Sequence, residues 1–278
     1  MGKITEVLKK VAEESLNRLE KKTEGKTQAY VVTQKVDSQI DPRVVTFHDP
    51  TALVSEQYKT LRTNIQSMSH KRNLKSFVIT SAIHGEGKTV TSANLACVLA
   101  GDLNAKSILL VDGDLRKGKV SCLLGLTPKV GLSELLSNGT PLTDALIDIG
   151  VKNLTILPSG KSPRNPAELL GSNKMRELVA ELRGKFDTVI FDSPPIMNVT
   201  DPGVLGSQND GVFVVIQAGR TQRGTIQQAQ HLLAQAHARV LGYVMTNVEY
   251  HLPEYIYRYM DGGPYAPYKI PDKIPAVS

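Results

Sequence analysis

Six short runs of nearly unbroken apolar residues constrain the fold of this 278-residue chain more than any other feature. They are Phe77-Val78-Ile79, Ile108-Leu109-Leu110-Val111, Leu154-Thr155-Ile156-Leu157, Thr188-Val189-Ile190-Phe191, Val212-Phe213-Val214-Val215-Ile216 and residues 241–245. Each has the length of a strand, is rich in β-branched residues and lacks apolar/polar alternation. A strand with one wet face alternates; a strand covered on both faces does not. Stretches with helical spacing separate several of the runs, at 89–103, 166–183 and 221–237. The pattern predicts a doubly wound, mainly parallel α/β sheet with helices on both faces.

The flanks read differently. In residues 3–22, Ile4, Val7, Leu8, Val11, Leu16 and Leu19 share one face of an amphipathic helix, and 23–48 lose that period and read as a linker. Asp49-Pro50 reads as N-cap and first position of a helix over about 51–68, with Val54, Tyr58, Leu61, Ile65 and Met68 at helical spacing. The folded domain is then expected over 49–247. A flexible tail is expected over 248–278, where Pro253, Pro264, Pro267, Pro271 and Pro275 break any period.

No apolar run reaches the roughly 18 residues of a membrane span, and residues 1–10 are too polar for a secretory signal. Cys97 and Cys122 are spaced for neither zinc nor a redox pair, which points to a reducing cytoplasm. Cys97, among Ala93, Leu95 and Ala96, reads as a core residue. The net charge of +6 is mild, reads as lysine-rich solvated surface and gives no reason to expect nucleic acid as a partner.

Directly after the first apolar run stands Ser81-Ala82-Ile83-His84-Gly85-Glu86-Gly87-Lys88-Thr89, and a helical stretch follows it. Strand, glycine-rich turn and helix in that order make a P-loop, the mark of a P-loop NTPase. Gly85 and Gly87 let backbone N–H groups close around phosphate oxygens at a helix N-terminus. Lys88 would bridge the β- and γ-phosphates, and the Thr89 hydroxyl would ligate Mg²⁺. Gly85, Glu86, Gly87, Lys88, Thr89 and Val90 are therefore the expected nucleotide-binding residues, with ATP and Mg²⁺ as cofactors. Ala82 stands at the motif's first glycine.

Two other runs end in acids. Asp112-Gly113-Asp114 follows Val111, and Asp192-Ser193-Pro194-Pro195 follows Phe191. Ligands of open α/β sheets bind beyond the carboxyl ends of the strands, so these three carboxylates should converge on the phosphates. One Asp after a strand is more often a turn former; three beside a P-loop mark a site. Arg116, Lys117 and Lys119 could neutralise phosphate, pair with a partner, or form a solvated basic loop.

Six of the nine tyrosines, Tyr250, Tyr255, Tyr257, Tyr259, Tyr265 and Tyr268, fall in the last 29 residues. Tyrosine rings normally bury themselves in cores or interfaces. A phenol is also a phosphoryl acceptor, and the rest of the chain is equipped to supply the phosphoryl group. Self-phosphorylation on tyrosine follows as an expectation.

Taken together, Val-Asp-Gly-Asp-Leu-Arg-Lys at 111–117, Ile-Phe-Asp-Ser-Pro-Pro at 190–195, Asn165-Pro166-Ala167-Glu168-Leu169-Leu170 and the terminal tyrosines resemble the bacterial tyrosine kinases (BY-kinases) over about Thr51 to Tyr268. The resemblance implies an autokinase, dependent on ATP and Mg²⁺, that phosphorylates a neighbouring subunit's tyrosine cluster and regulates capsule and exopolysaccharide synthesis and export. It implies that Thr89, Asp114 and Asp192 organise Mg²⁺, that Asp112 acts as general base, and that Lys88 completes the catalytic set. The family's Glu-x2-Arg-x2-Arg helix builds a ring of subunits; the matching residues here are Glu56, Lys59 and Arg62, and Lys59 lacks arginine's bidentate fork. Gly118 stands where a proline often follows the basic pair. Asn247 matches a position that contacts adenine in related ATPases. The implied partners are a membrane-spanning polysaccharide co-polymerase, other copies of the chain and further tyrosine substrates. The implied location is cytoplasmic, at the inner face of the cell membrane through that partner.

Two other functions use the same loop. The plasmid-partition and division-site ATPases are switches that dimerise on ATP, but their P-loops carry a lysine where this chain has Ile83, and they lack a tyrosine tail. A nucleotide-binding scaffold without kinase activity would not require Lys88, Thr89, Asp112, Asp114 and Asp192 together. In the tail from Tyr250 onward, Glu254, Asp261 and Asp272 offset Arg258, Lys269 and Lys273. Each phosphotyrosine would add roughly −1.5 to −2. The modified tail is therefore expected to be repelled by Asp112, Asp114 and Asp192 and to loosen assembly.

Overall fold

The computed structural model describes residues 34–35, 39–102 and 107–248; the amphipathic segment 3–22 and all six tail tyrosines lie outside the described residues. The strands are β1 (Gln34–Lys35), β2 (Ser76–Ser81), β3 (Ile108–Asp112), β4 (Ile147–Asp148), β5 (Leu154–Leu157), β6 (Thr188–Asp192), β7 (Val212–Gln217) and β8 (Val240–Thr246). They form one sheet in the order β1-β4-β5-β3-β6-β2-β7-β8. Every pairing is parallel except β4 with β5. All six apolar runs are strands. The two strands they did not announce are two residues long, too short to carry a period. β2 and β3 are buried along their whole length, and β6 from Val189 onward, as unbroken apolar runs require. β8 departs from that expectation: it is the sheet edge, with Tyr243 42% and Met245 58% exposed.

The helices are α1 (Val45–His48), α2 (Leu53–Arg72), α3 (Lys88–Ala100), α4 (Val120–Leu123), α5 (Leu132–Asn138), α6 (Leu142–Ala145), α7 (Pro166–Leu170), α8 (Asn173–Lys185), α9 (Asp201–Gln208) and α10 (Arg223–Gln235). α3 carries the P-loop, and all its residues but Val90 are buried. Its small side chains, among them Ala93, Ala96 and Ala100, let it lie between the sheet and α2. A helix buried on every side shows no amphipathic stripe. Beneath it, Phe77 and Phe213 meet edge to face at 5.2 Å and 86°, a favoured aromatic geometry. Cys97 sits in this layer, and burial pushes its thiol up to about 11, which leaves it an inert packing residue.

Three local expectations differ from the structure. Asp49 does not cap α2; its Oδ1 accepts hydrogen bonds from Thr51 N at 3.0 Å and Thr51 Oγ1 at 2.7 Å. This side-chain turn displaces the helix start to Leu53, because Asp satisfies its near neighbours before the helix can use it. The stretch 166–183 is two helices, broken at Gly171-Ser172, where Ser172 Oγ accepts from Met175 N and caps α8. The folded body also reaches further towards the N-terminus than residue 49, since Ile40 and Val44 are buried in the core.

Asn94, fully buried on α3, fastens that N-terminal segment. Its Oδ1 accepts from Thr46 N and Thr46 Oγ1, both at 3.0 Å, and its Nδ2 donates to Arg43 O and Val90 O, both at 2.9 Å. Removing the amide leaves several buried polar groups unpaired, at about 1–3 kcal/mol each when nothing replaces it. Asn94→Ala should therefore destabilise the protein by about 2–4 kcal/mol in urea denaturation. A loss under about 1 kcal/mol would mean that the segment 43–46 is held by its apolar contacts alone.

Candidate active site

The P-loop joins β2 to α3 at the carboxyl edge of the sheet. Gly85 and Gly87 have φ of +83° and +89°, a region closed to most side chains. Three consecutive carbonyls of the loop are held. Arg220 donates from Nη2 to His84 O at 3.0 Å and from Nη1 to Gly85 O at 3.1 Å. Thr246 Oγ1 donates to Glu86 O at 2.9 Å. In a trans peptide the carbonyl and the next N–H point in opposite directions. Holding these three oxygens therefore turns the N–H groups of Gly85, Glu86 and Gly87 to the other side, where they form a concave anion nest at the helix N-terminus.

Glu86 supports the loop from within. Its buried carboxylate accepts from Ile83 N at 2.7 Å, from Gln217 N at 3.3 Å and from Thr221 Oγ1. That side chain is committed to structure, which leaves its N–H as its contribution to an anion.

At the base of the loop, Lys88 Nζ lies 3.1 Å from Thr89 Oγ1, 3.5 Å from Asp192 Oδ2 and 3.6 Å from Asp114 Oδ2. Thr89 Oγ1 donates to Asp192 Oδ2 at 2.7 Å, and Ser92 Oγ donates to Asp192 Oδ1 at 3.0 Å. Asp112 and Asp192 end neighbouring parallel strands at the same register. Asp112 accepts from Asp114 N at 3.2 Å and Val120 N at 3.1 Å. Asp114 Oδ1 accepts from the N–H groups of Arg116 at 3.3 Å and Lys117 at 3.0 Å. The sheet thus brings the three sequence-marked carboxylates and Lys88 together.

The charges follow from burial. Desolvation, reinforced by Asp192 and then Asp114, pushes Asp112 up to about 8, against the hydrogen bond from Val120. Burial also raises Asp192, opposed by Lys88, Thr89 and Ser92. For Lys88 burial works against the ammonium, but Asp192, Asp114 and Asp112 more than offset it and the pKa rises. Asp112, pushed up to about 8, holds its proton at neutral pH, and a cation placed among these acids would favour its ionised form. Thr89 Oγ1, Asp114 and Asp192 are hard oxygen donors of the kind Mg²⁺ takes. Among the described residues no three His, Cys, Asp or Glu side chains form a metal cage. Magnesium sites built from one or two carboxylates, phosphate oxygens and water need none.

The remaining sequence-marked residues fall as follows. Val90 is half-buried in the first turn of α3, and Asn247 is exposed at φ +53° directly after Thr246. Glu56 and Lys59 form an exposed ion pair at 2.7 Å, while Arg62 turns inward and donates to Val98 O at 2.9 Å near the end of α3. Arg116 grips the fully buried Asp201 with two hydrogen bonds of 2.8 and 3.0 Å, so it is neither merely solvated nor part of the phosphate nest. Gly118 is small by necessity: a Cβ there would lie 2.1 Å from Ser159 Oγ and 2.7 Å from Asp112 Oδ2. Sequence reasoning missed Ser92, Asp201, Arg220 and Thr246. Ser92 carried a local signal, since it lies one turn beyond Lys88 and Thr89 on the same helix.

The AAA domain family matches residues 74–241. The chain is 42% identical to the tyrosine-protein kinase YwqD of Bacillus subtilis, across 75% of this chain and 87% of that protein. It is 34% identical to the putative tyrosine-protein kinase CapB of Staphylococcus aureus, across 77% and 92%. The chain belongs to the bacterial tyrosine-protein kinases. Among solved structures, the kinase domain of the Escherichia coli tyrosine kinase ETK superposes on this bacterial tyrosine kinase with a TM-score of 0.73 at 26% identity, over 79% of this chain and 84% of that one. The cell division ATPase MinD of Pyrococcus furiosus shares the fold more loosely, with a TM-score of 0.53 at 26% identity over 62% of this chain and 71% of its own.

If Arg220 orients the nest, Arg220→Ala should weaken Mg·ADP binding about tenfold, equivalent to about 1.4 kcal/mol. The thermal midpoint should stay within about 2 °C of wild type, as for most surface substitutions. Thr246→Val, which loses one neutral hydrogen bond, should have a smaller effect in calorimetry. Unchanged affinity in Arg220→Ala would show that the loop holds its amides inward unaided.

Proposed function

We propose that this kinase transfers the γ-phosphoryl group of ATP to the tail tyrosines Tyr250, Tyr255, Tyr257, Tyr259, Tyr265 and Tyr268 of a neighbouring copy, and so regulates the synthesis and export of a capsular or extracellular polysaccharide. The observation that carries this is the convergence of Lys88, Asp112, Asp114 and Asp192 beneath the P-loop nest. Bound Mg·ATP supplies the phosphoryl group and the charge neutralisation that its transfer needs. Thr89, Asp114 and Asp192 are assigned to the metal. The N–H groups from Gly85 to Val90 cradle phosphate, and Asn247 lies at the end of β8 to meet the base.

Phosphoryl transfer needs positioning and charge neutralisation more than covalent help. Lys88 moves from its carboxylate partners to the β- and γ-phosphates, exchanging one set of anions for another. Asp112, ionised once a cation beside it lowers its raised pKa, accepts the phenolic proton as the tyrosine oxygen bonds to phosphorus and the bond from the γ-phosphorus to the β,γ-bridging oxygen breaks, leaving ADP. Its two backbone hydrogen bonds fix the carboxylate for that step. Gly118 leaves room for the Ser159 side chain beside Asp112.

In the proposed ring of subunits, Glu56 and Lys59 face a neighbour, while Arg62 braces α2 against α3. Among the described residues no helix is long and apolar enough to cross a membrane. The kinase is proposed to act at the inner face of the cell membrane through a membrane-spanning polysaccharide co-polymerase.

Lys88→Met should abolish tail phosphorylation in a radiolabelled-ATP assay while leaving the fold intact; full labelling would trace the activity to another kinase. Asp114→Asn should weaken Mg²⁺-dependent nucleotide binding. Asp112→Asn should bind Mg·ATP and slow transfer by about 10²–10⁴-fold, the range for a lost general base. Wild-type rates in that variant would remove Asp112 from the base role.

A further inference from the structure

Cations predominate in the exposed charge on the two loops over this site. Lys117 and Lys119 follow β3, Lys161 and Arg164 follow β5, and all four are exposed. None of them joins an ion pair among the described residues. β3 and β5 are neighbours, with Val111 opposite Leu157. Their loops touch where Gly118 packs on Ser159, directly over Asp112, so the four cations border the approach to that carboxylate.

The acids of the same edge are withdrawn. Asp112, Asp114, Asp192 and Asp201 are buried. Glu134, half-buried, accepts from the N–H groups of Gly131 and Lys161; Glu168, which accepts from Asn165 Nδ2, is the exception and is exposed. The opposite edge holds paired charges, Arg183 with Asp210 and Lys185 with Glu181, beside exposed lysines such as Lys75 and Lys152.

From these observations we propose that Lys117, Lys119, Lys161 and Arg164 form a phosphotyrosine-binding rim whose ligand is the phosphorylated C-terminal tail. The inference rests on the autokinase reading above. Ammonium and guanidinium groups without acidic partners bind phosphate through charge-assisted hydrogen bonds. The unmodified tail balances Glu254, Asp261 and Asp272 against Arg258, Lys269 and Lys273 and offers the rim little. Each phosphotyrosine adds roughly −1.5 to −2, so affinity should grow with each modification. The tail also begins at this edge: β8 ends at Thr246, which is bonded to the P-loop. From there to Tyr259 an extended chain reaches about 40 Å, enough for its own rim or a neighbour's.

This reverses the expectation that a phosphorylated tail is repelled. The carboxylates that would repel it are buried and face Lys88, whereas the charge a tail meets first is positive. Modified tail is therefore retained at the mouth, where it obstructs the next acceptor and makes the reaction self-limiting.

The test uses the full chain, phosphatase-treated and free of ATP, with fluorescent synthetic peptides spanning residues 250–268. One peptide carries phosphate on Tyr255, Tyr257 and Tyr259; the other carries none. Fluorescence anisotropy should show the phosphopeptide binding at least about tenfold tighter, with affinity falling steeply as salt screens the contacts. K117Q/K119Q and K161Q/R164Q should each weaken phosphopeptide binding several-fold while leaving Mg·ADP affinity unchanged, which also reports that the fold is intact. Equal affinity for the two peptides would overturn the proposal on the wild-type chain alone. So would phosphopeptide affinity that survives both double variants, variants that lose ADP instead, or a rim that binds phosphatidylserine vesicles in preference to the phosphopeptide. Because the phosphate is installed synthetically, a chain that failed to phosphorylate itself would refute the autokinase reading without deciding this result.

Discussion

Asp192 lies fully buried at the end of β6, and an ionised carboxylate in such a place is costly unless hydrogen bonds and a counter-charge surround it. Thr89 and Ser92 donate to its two oxygens, and Lys88 stands 3.5 Å away. All three partners come from the first turns of α3. The electrostatic demand of one strand end therefore fixes the rotation and depth of the helix that carries the P-loop. That fixing requires α3 to be buried almost throughout, which in turn requires α2 as an outer cover and Asn94 as a polar tie to the segment 43–46. Much of the architecture on this face of the sheet follows from holding one carboxylate against one helix start.

The loop itself is held from a second direction. Glu86, Arg220 and Thr246 connect it to β7, the turn after β7, and β8. None of these residues need touch phosphate for the nest to form; they act on carbonyls and on one internal carboxylate. The central strands supply chemistry, whereas the strands toward the β8 edge supply orientation. That division explains why β8 can be half exposed and still matter to the site.

How much of this the sequence disclosed depends on how far apart the partners are. The buried strands were legible because burial on two faces leaves an unbroken apolar run, and the P-loop and the acids were legible because their chemistry is compressed into short motifs. The break at Gly171-Ser172 and the false start at Asp49 were hidden because each depends on which of several nearby groups a small polar side chain satisfies first. Arg116 with Asp201, Arg220 with Gly85, and Asn94 with Thr46 join residues 85, 135 and 48 positions apart. Nothing local announces such pairs, because only the folded sheet makes them neighbours. Arg116 shows the cost: read beside Lys117 and Lys119 it looked like one more cation of a basic loop, yet Asp201 alone separates it from them in function.

Charge is layered at the mouth of the site. Negative carboxylates lie within, concentrated around Lys88, and bare cations stand outside on the loops after β3 and β5. Glycine at position 118 makes that layering possible, because a larger residue would collide with both Ser159 and Asp112 and push the two loops apart. An inner negative layer favours a divalent cation, and an outer positive layer favours an anionic peptide. A tyrosine-bearing segment enters as a nearly neutral chain and leaves as an anion, which moves its preference from the inner layer to the outer one. The same arrangement that admits the substrate thereby determines where its product comes to rest.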